Sequence, residues 1–578
     1  MKAQASISKK YTPWILLPLV LFIFILVAMS PVSHTGSDPK GSLLLSQALI
    51  ENQSVKLDSY KDIGKYRYVV HKKNDHYYYY FPIGTSISSL PFVWFGTKVL
   101  HKDMNNQEDD HIFQKLIAGV VSALIFLLLF LITKMYFNER ISVGISFLFW
   151  LGTSMSSTLG QALWSHDFAV FYALSALLLM LKVLNEGKNK YWFFLGVMLF
   201  MAYLTRPTMS LFAVAIILYL FVNNERYLAI KVAGLVGVLL GFFVVFSMAE
   251  FNQFLPDYYL PKRLSSETFW TAFYGNLFSP ARGLFVYSPF LLLFMINAKD
   301  TYNIFKNNRS LMIIVGYIIV HLITISNFPH WWAGGSDGPR LMLDTLPAIF
   351  LLFVILLKYT YHNGSVVKKR FLSLFLMMFV PVSIYFNVMQ GLYNEYSGFL
   401  WNDDPNVDQY PEYLFDWEYP QFLHDEERHN NRRFKFKREH VSPIELKYEI
   451  FYTGSSLFSQ IGEIQNTYMS TTGKTKAGYL TFGPYIILPA GAYKFDIHYV
   501  SSEQNTTPVG AWDVALALPK ETKVLNKGDL FGTANKEGHI VRSFVIPSEY
   551  TNEKVEIRNF YNGTGDLTIK SLMITRIK

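Results

Sequence analysis

Residues 116–136 read LIAGVVSALIFLLLFLITKMY, a stretch with no charged side chain before Lys134. A helix needs roughly 20 apolar residues to cross a bilayer core, so this run predicts a membrane span. Working outward, similar runs lie at 14–29 (WILLPLVLFIFILVAM) and near 142–158, 167–184, 191–205, 208–222 and 227–248. More follow near 284–297, 309–327, 341–358 and 371–390. Together they predict a polytopic α-helical membrane protein of about 11 spans. The runs at 191–205 and 284–297 are short for a crossing. Lys2, Lys9 and Lys10 precede the first run and Ala28-Met29-Ser30 ends it, a pattern shared by anchors and cleaved signal peptides.

Composition agrees. The 578 residues are 51% hydrophobic and 16% charged, against about 25% charged in soluble domains. The net charge of +9 is read as topological, with no nucleic acid implied, because basic residues gather at the inner ends of spans. The absence of cysteine excludes disulfides, thiolate catalysis and cysteine-based zinc sites.

The short connections set the orientation. With the N-terminus inside, the inner loops carry Lys134 and Arg140, then Lys182, Lys188 and Lys190, then Arg226 and Lys231. Lys299, Lys306 and Arg309 follow, and then Lys358, Lys368, Lys369 and Arg370. This positive-inside pattern predicts a cytoplasmic N-terminus and an extracytoplasmic C-terminal part.

The outer segments are different in kind. The first, 31–112, is a large loop holding Asp38 and the aromatic stretch Tyr77-Tyr78-Tyr79-Tyr80-Phe81. That stretch suits a membrane interface, and surface-lying amphipathic helices are expected there. Next come Trp164-Ser165-His166-Asp167 and Thr205-Arg206-Pro207. The segment 249–283 holds Lys262, Arg263 and Ser279-Pro280-Ala281-Arg282-Gly283. The last, 328–340, holds His330, Trp331, Trp332, Asp337 and Arg340. The span interiors are nearly free of charge, which argues against a proton-coupled transporter. His321 is the exception, read as bonded to a neighbouring helix.

Residues 1–390 are thus expected to form the membrane domain and 391–444 a polar, aromatic linker. From 445 to 578 short alternating runs replace the long apolar ones: 478–482, 492–500, 514–518, 541–546, 555–560 and 567–577. Turn residues between them predict an extracytoplasmic all-β sandwich, either carbohydrate-binding or structural.

These outer motifs resemble the GT-C fold of integral-membrane glycosyltransferases, the superfamily of protein mannosyltransferases and the aminoarabinose and arabinofuranosyl transferases. The resemblance covers about 14–425 and rests on Ser37-Asp38-Pro39, the tyrosine-rich stretch ending at Thr85, and Trp164-Ser165-His166. It also rests on Ser279-Pro280-Ala281-Arg282-Gly283 and on Trp331-Trp332 through Gly338-Pro339-Arg340. Phe482-Gly483-Pro484-Tyr485 and Leu488-Pro489-Ala490-Gly491 look like carbohydrate-binding sandwiches appended to such enzymes. The resemblance implies a transferase of the plasma (inner) membrane. It would take a sugar from a polyprenyl-phosphate donor and pass it to a glycan, lipid or protein acceptor on the extracytoplasmic side.

The residue types suit that chemistry. Asp38 is the candidate general base for an incoming hydroxyl, with a turn-forming Asp before Pro39 as the plain alternative. His166 and Asp167 are candidates for orienting the acceptor or moving its proton. A divalent cation held by them with Asp38 stays open as a cofactor, and no metal ligand is assigned. Arg206, Lys262, Arg263, Arg282 and Arg340 are candidates for the donor phosphate. Arg340 and Asp344 stand four apart at a helix start and can instead pair with each other. Tyr80, His330, Trp331, Trp332 and Asp337 are candidates for contacting substrate, with interfacial anchoring as the alternative for the aromatics. A flippase for lipid-linked sugars and a non-catalytic carbohydrate-binding envelope protein are the rival functions.

Overall fold

The computed structural model describes residues 13–577 except 62, 64–68, 187–188, 266, 440–448, 519–520 and 552. Lys2, Lys9, Lys10 and Lys188 lie outside the described residues, as does the expected linker boundary at 444. The chain forms two compact units, Met1–Glu426 and Glu427–Lys578.

The first unit is helical. Its helices are α1 (Pro13–Ala28), α2 (Ser42–Glu51), α3 (Gly84–Lys98), α4 (Gln107–Lys134), α5 (Glu139–Leu151) and α6 (Ser154–Gln161). They continue as α7 (Ser165–Glu186), α8 (Trp192–Thr205), α9 (Met209–Val222), α10 (Arg226–Phe251), α11 (Phe269–Phe278) and α12 (Leu284–Tyr287). The last are α13 (Leu293–Ile296), α14 (Ala298–Asn307), α15 (Leu311–Ser326), α16 (Leu346–Asn363), α17 (Val366–Ile384) and the short α18 (Trp401–Asp403).

Local chemistry explains some of the starts. The Asn106 side chain accepts from the amides of Glu108 and Asp109 to cap α4, and three acids occupy its first turn. Asn138 and Ser365 cap α5 and α17 in the same way.

Among the described residues, five helical segments are long and apolar enough to cross a membrane: Gln107–Lys134, Ser165–Asn185, Arg226–Phe251, Arg340–Asn363 and Val366–Gln390. The pair Ala298–Lys306 and Leu311–Ser326, bent by 120°, makes a sixth if counted as one broken span. Several other expected spans take a different form. The run at 142–158 divides at Gly152, where α5 ends and Thr153 caps α6. The run at 284–297 breaks into short helices around Pro289, which has no amide hydrogen to continue a helix. α8 and α9 are apolar but have 14 residues each. The apolar windows of Gln107–Lys134, Ser165–Asn185 and Arg340–Asn363 are 72%, 78% and 83% buried, so these helices form the centre. Those of Arg226–Phe251 and Val366–Gln390 are only 22% buried, which leaves apolar flanks suited to lipid.

The aromatic stretch differs from expectation. It is part of a hairpin of β1 (Val70–Lys73) and β2 (His76–Tyr79), with Val70 opposite Tyr79. Asn74 and Asp75, at φ 49° and 65°, supply the left-handed two-residue turn that matches strand twist. The neighbouring α2 buries Ser42 through Ala48, so it is packed inside the unit.

The second unit opens on a helix, Glu426–Glu439, and is β-stranded from Glu449 on. One sheet has the order β10-β9-β12-β6, with β7 also on β12. These are β6 (Gly478–Thr481), β7 (Pro484–Ile487), β9 (Pro508–Ala517), β10 (Thr522–Phe531) and β12 (Lys554–Tyr561). The other has the order β11-β8-β13-β5-β4, with β3 on β13. These are β3 (Glu449–Thr453), β4 (Glu463–Gln465), β5 (Tyr468–Thr471), β8 (Gly491–Ser501), β11 (Glu537–Ile546) and β13 (Leu567–Arg576). Phe495 and Ile497 from one sheet meet Trp512 and Val514 from the other in a shared core, with the Phe495 and Trp512 rings 5.1 Å apart. This is a β-sandwich. The expected linker divides: residues up to Glu426 belong to the helical unit, where Trp401, Asn402 and Gln421 are buried.

Candidate active site

Asp38 sits between α1 and α2 on a chain of turns. The Ser37 amide donates to the His34 carbonyl, that of Lys40 to Ser37 and that of Ser42 to Pro39. Gly41 closes the series at φ 91°, a conformation that L side chains avoid. A β-carbon there would lie 3.3 Å from the Tyr79 ring. The Tyr79 hydroxyl donates to the Asp38 carbonyl at 2.8 Å. The hairpin therefore braces the Asp38 turn through Tyr79. Tyr80 points elsewhere, stacking on His71 at 4.1 Å. Alternation along a strand separates the two tyrosines.

The Asp38 carboxylate, 19% exposed, accepts from Arg340 Nη2. Arg340 also donates from Nη1 to the Ala333 carbonyl at 3.1 Å, and its guanidinium stacks 3.7 Å from the Trp164 ring centroid. Arg340 Nε has no hydrogen-bond partner among the described residues. The i, i+4 pairing of Arg340 with Asp344 is thus replaced by one across the fold.

Asp344 has a different set of partners. It accepts from Arg206 Nε at 2.9 Å and from the Thr208 hydroxyl at 2.6 Å. His166 Nδ1 lies 3.2 Å from its other oxygen. A carboxylate can only accept, so His166 carries its proton on Nδ1 and keeps a lone pair on Nε2, which has no partner among the described residues. Arg206 Nη1 donates to Ser165 at 3.1 Å. Arg206 lies close enough to Asp38 for their charges to interact, and His166 to Arg340. Asp38, His166, Arg206, Arg340 and Asp344 therefore form one neighbourhood. They come from the turns between α1 and α2, the start of α7, the end of α8 and the segment leading into α16.

Asp167 faces another way. It is buried, and the charge it feels is that of Lys115. Lys115 lies inside α4 and is itself buried, donating to Ser30 Oγ at 2.5 Å and to the Gly160 carbonyl at 2.7 Å.

Arg282 has a different job from the one expected. It is 1% exposed, and its nitrogens donate to the Trp332, Ala281 and Gly334 carbonyls, to Gln421 Oε1 and to Asn402 Oδ1. Burial lowers its pKa to about 10. With these bonds made, the guanidinium has little left to offer a phosphate; it ties the 328–340 loop to 402 and 421. Ser279 Oγ accepts the Ala281 and Arg282 amides and donates to the Leu414 carbonyl, which fixes the local turn.

The remaining candidates are dispersed. Asp337 is buried; it accepts from the Tyr287 hydroxyl at 3.1 Å, and burial pushes its carboxyl up to about 7. Trp331 is 3% exposed, packed among Ala272, Trp401 and Leu414, and is closed to a sugar. The His330 and Trp332 rings lie 4.3 Å apart, tilted by 32°, and both bond to Asp408. Lys262 is exposed, and the Arg263 side chain lies outside the described residues. His321 bonds the Leu341 carbonyl at 3.0 Å, the neighbour-helix bond expected of it. Among the described residues no three-ligand metal group forms around Asp38 or His166.

A cleft of about 840 Å³ is lined by apolar residues including Leu90, Pro91, Trp94, Leu204 and Phe243. It shares Val55, Ile83 and Phe246 with a neighbouring cavity of about 320 Å³. That cavity is lined by His71, Lys73 and Tyr78 through Phe81. Tyr79 connects its wall to Asp38.

Residues 92–249 match the family described as dolichyl-phosphate-mannose-protein mannosyltransferase. The matched stretch contains Trp164, His166, Arg206 and Thr208, and agrees with the resemblance read from the motifs. The chain is also similar to the archaeal oligosaccharyltransferase AglB from Archaeoglobus fulgidus, solved with an inhibitory peptide and a dolichol-phosphate. Identity is 13% over 71% of this chain and 60% of that chain, with a TM-score of 0.42. Likeness to the arabinosyltransferase EmbB from Mycobacterium smegmatis is 11% identity over 100% of this chain and 66% of that one, with a TM-score of 0.32. The chain thus spans less than two thirds of either enzyme's length. A carbohydrate-binding module of the laminarinase LamC from Zobellia galactanivorans is matched over 22% of this chain and 99% of that one, at 12% identity and a TM-score of 0.15. No curated protein matches the chain.

Proposed function

We propose that this protein is a GT-C-type glycosyltransferase that moves a sugar from a polyprenyl-phosphate donor to a glycan, lipid or protein acceptor at the extracytoplasmic membrane face. The observation that carries this reading is the Asp38 carboxylate held by Arg340 over Trp164, beside the Arg206–Asp344–His166 set. The mannosyltransferase family match over 92–249 supports it.

In the proposed reaction the acceptor hydroxyl loses its proton to Asp38 as its oxygen bonds to the anomeric carbon. The bond from that carbon to the donor phosphate breaks, and the phosphate leaves with the electron pair. Arg340 and Arg206 stabilise that charge where it develops. A donor phosphate competes with Asp38 for Arg340, which frees the carboxylate to act as base. Asp344, itself bonded by His166, holds Arg206 in place. The isoprenoid lies along the apolar cleft, with its phosphate end toward the polar cavity.

Purified full chain in lipid nanodiscs, given radiolabelled polyprenyl-phosphate sugars and an envelope acceptor fraction, tests this. Transfer that is lost in Asp38→Asn supports the reading. Translocation of donor without sugar release would replace it with a flippase.

A further inference from the structure

The β-sandwich carries a second cluster of chemistry. Along β8, Tyr493, Phe495, Ile497 and Tyr499 point into the core, so Asp496 and His498 lie on the opposite face of the strand. β11 pairs with β8 at the edge of the sheet, setting His539 directly opposite His498. One ligand atom each from Asp496, His498 and His539 lies within 4.8 Å of the others. His498 Nε2 is 3.6 Å from Asp496 Oδ2, and His539 Nδ1 is 3.6 Å from Asp496 Oδ1. Ligand atoms around a tetrahedral zinc are separated by roughly 3.4 Å, given bonds near 2.1 Å. Small side-chain movements would close the set on an ion.

Two further observations point to a ligand. Asp496 Oδ1 is inaccessible to solvent and has no hydrogen-bond partner among the described residues. His498 Nδ1 lies 3.2 Å from Glu537 Oε1, so it donates there and turns a lone pair on Nε2 toward Asp496. Glu537 is held in turn by Lys570 Nζ at 3.0 Å. A bulge in β13 between Ile569 and Ser571 marks the position of that lysine. A carboxylate that bonds the far nitrogen of a histidine is the usual support of a metal-ligating imidazole.

We propose that Asp496, His498 and His539 bind a zinc-type divalent cation, with Glu537 as the positioning residue for His498. Two imidazole nitrogens and one carboxylate suit zinc and its transition-metal neighbours. Calcium, which takes six to eight oxygens, is a poor match. The ion clips the edge strand β11 to β8.

The test uses the full chain in detergent, its affinity tag removed and its metals stripped with a chelator. Zinc is titrated against a chromophoric chelator, and amide exchange of Glu537–Ile546 is followed with and without zinc. The expected result is about one zinc per chain, slower exchange in β11 on binding, and no competition from calcium. His498→Gln with His539→Gln abolishes binding, and Glu537→Gln weakens it about tenfold. The His539 ring is largely exposed, so His539→Gln alone checks the site in a chain whose fold is not at issue. Tight zinc binding that persists in the double variant, or no zinc binding by the unaltered chain, overturns the proposal.

Discussion

Arg282 and Arg340 lie in neighbouring segments of the helical unit and look alike in sequence, yet their surroundings are opposite. Arg282 is enclosed by neutral carbonyl and amide oxygens that take up its donors. Arg340 holds one carboxylate, lies against one indole, and keeps Nε without a partner among the described residues. A guanidinium surrounded by backbone acceptors organises a loop. One paired to a single carboxylate can exchange that partner for a phosphate. Burial alone does not separate them, since both are mostly covered; the identity of the acceptors does.

The largest effect expected from breaking this contrast is at the carboxylate. Asp38→Asn should lower transfer by about 10³-fold or more while leaving the melting temperature near that of the unaltered protein. Turnover at the original rate would remove Asp38 from the chemistry. Arg282→Ala should instead act on folding, costing on the order of 3 kcal/mol because Asn402, Gln421 and two loop carbonyls lose a charged donor. Thermal melting in detergent reads this, and an unchanged melt with lost transfer would make Arg282 a substrate residue.

Arg340→Lys comes next. It keeps the charge and loses the planar fork, and should reduce transfer by about 10²-fold with little change in melting. Equal losses of stability in the lysine variants at 282 and 340 would erase the distinction between the two arginines.

Asp337, beside the Arg282 loop, sharpens the comparison through pH. Burial raises its carboxyl from 3.8 to about 7, so the folded state holds a proton that the unfolded state releases between those values. Stability contributed by the neutral carboxyl should therefore fall as pH rises from about 4 through about 7. Asp337→Asn should flatten that slope, as followed by melting temperature against pH. A steeper slope in the variant would contradict the assignment. The smallest effect is at Gly41→Ala, about 1–2 kcal/mol from the left-handed backbone. A parallel loss of transfer is expected as the Asp38 turn shifts.

Much of this arrangement was legible in the residues. Asp38, His166, Arg206 and Arg340 each adjoin an apolar run, and run ends must lie where polar groups can be solvated or paired. For Asp344 the residues offered only an i, i+4 pairing with Arg340, as the alternative to a phosphate role for that arginine, because spacing shows which side chains can meet along one helix but not what lies across from them. Tyr79, not Tyr80, reaches Asp38, since the aromatic stretch forms a hairpin ahead of α3 and its period of two decided which ring faces the turn. Asn402 and Gln421 were missed because a polar, aromatic segment carries no periodic signal. In the second unit the alternating strands β8 and β12 were legible. The edge strand β10 was not, because Lys523, Lys527 and Asp529 interrupt its pattern.

The sequence by itself determined the membrane class, the long central spans, the all-β character of the C-terminal part and the polar groups at the span ends. Those follow from hydrophobic length and period, which are local properties of a chain. Only the tertiary structure decided which charge meets which: Asp38 with Arg340, Asp344 with Arg206 and His166, and Arg282 with the loop it holds. Pairing across 138 or 302 residues depends on how the helices pack, and no spacing rule reaches that far.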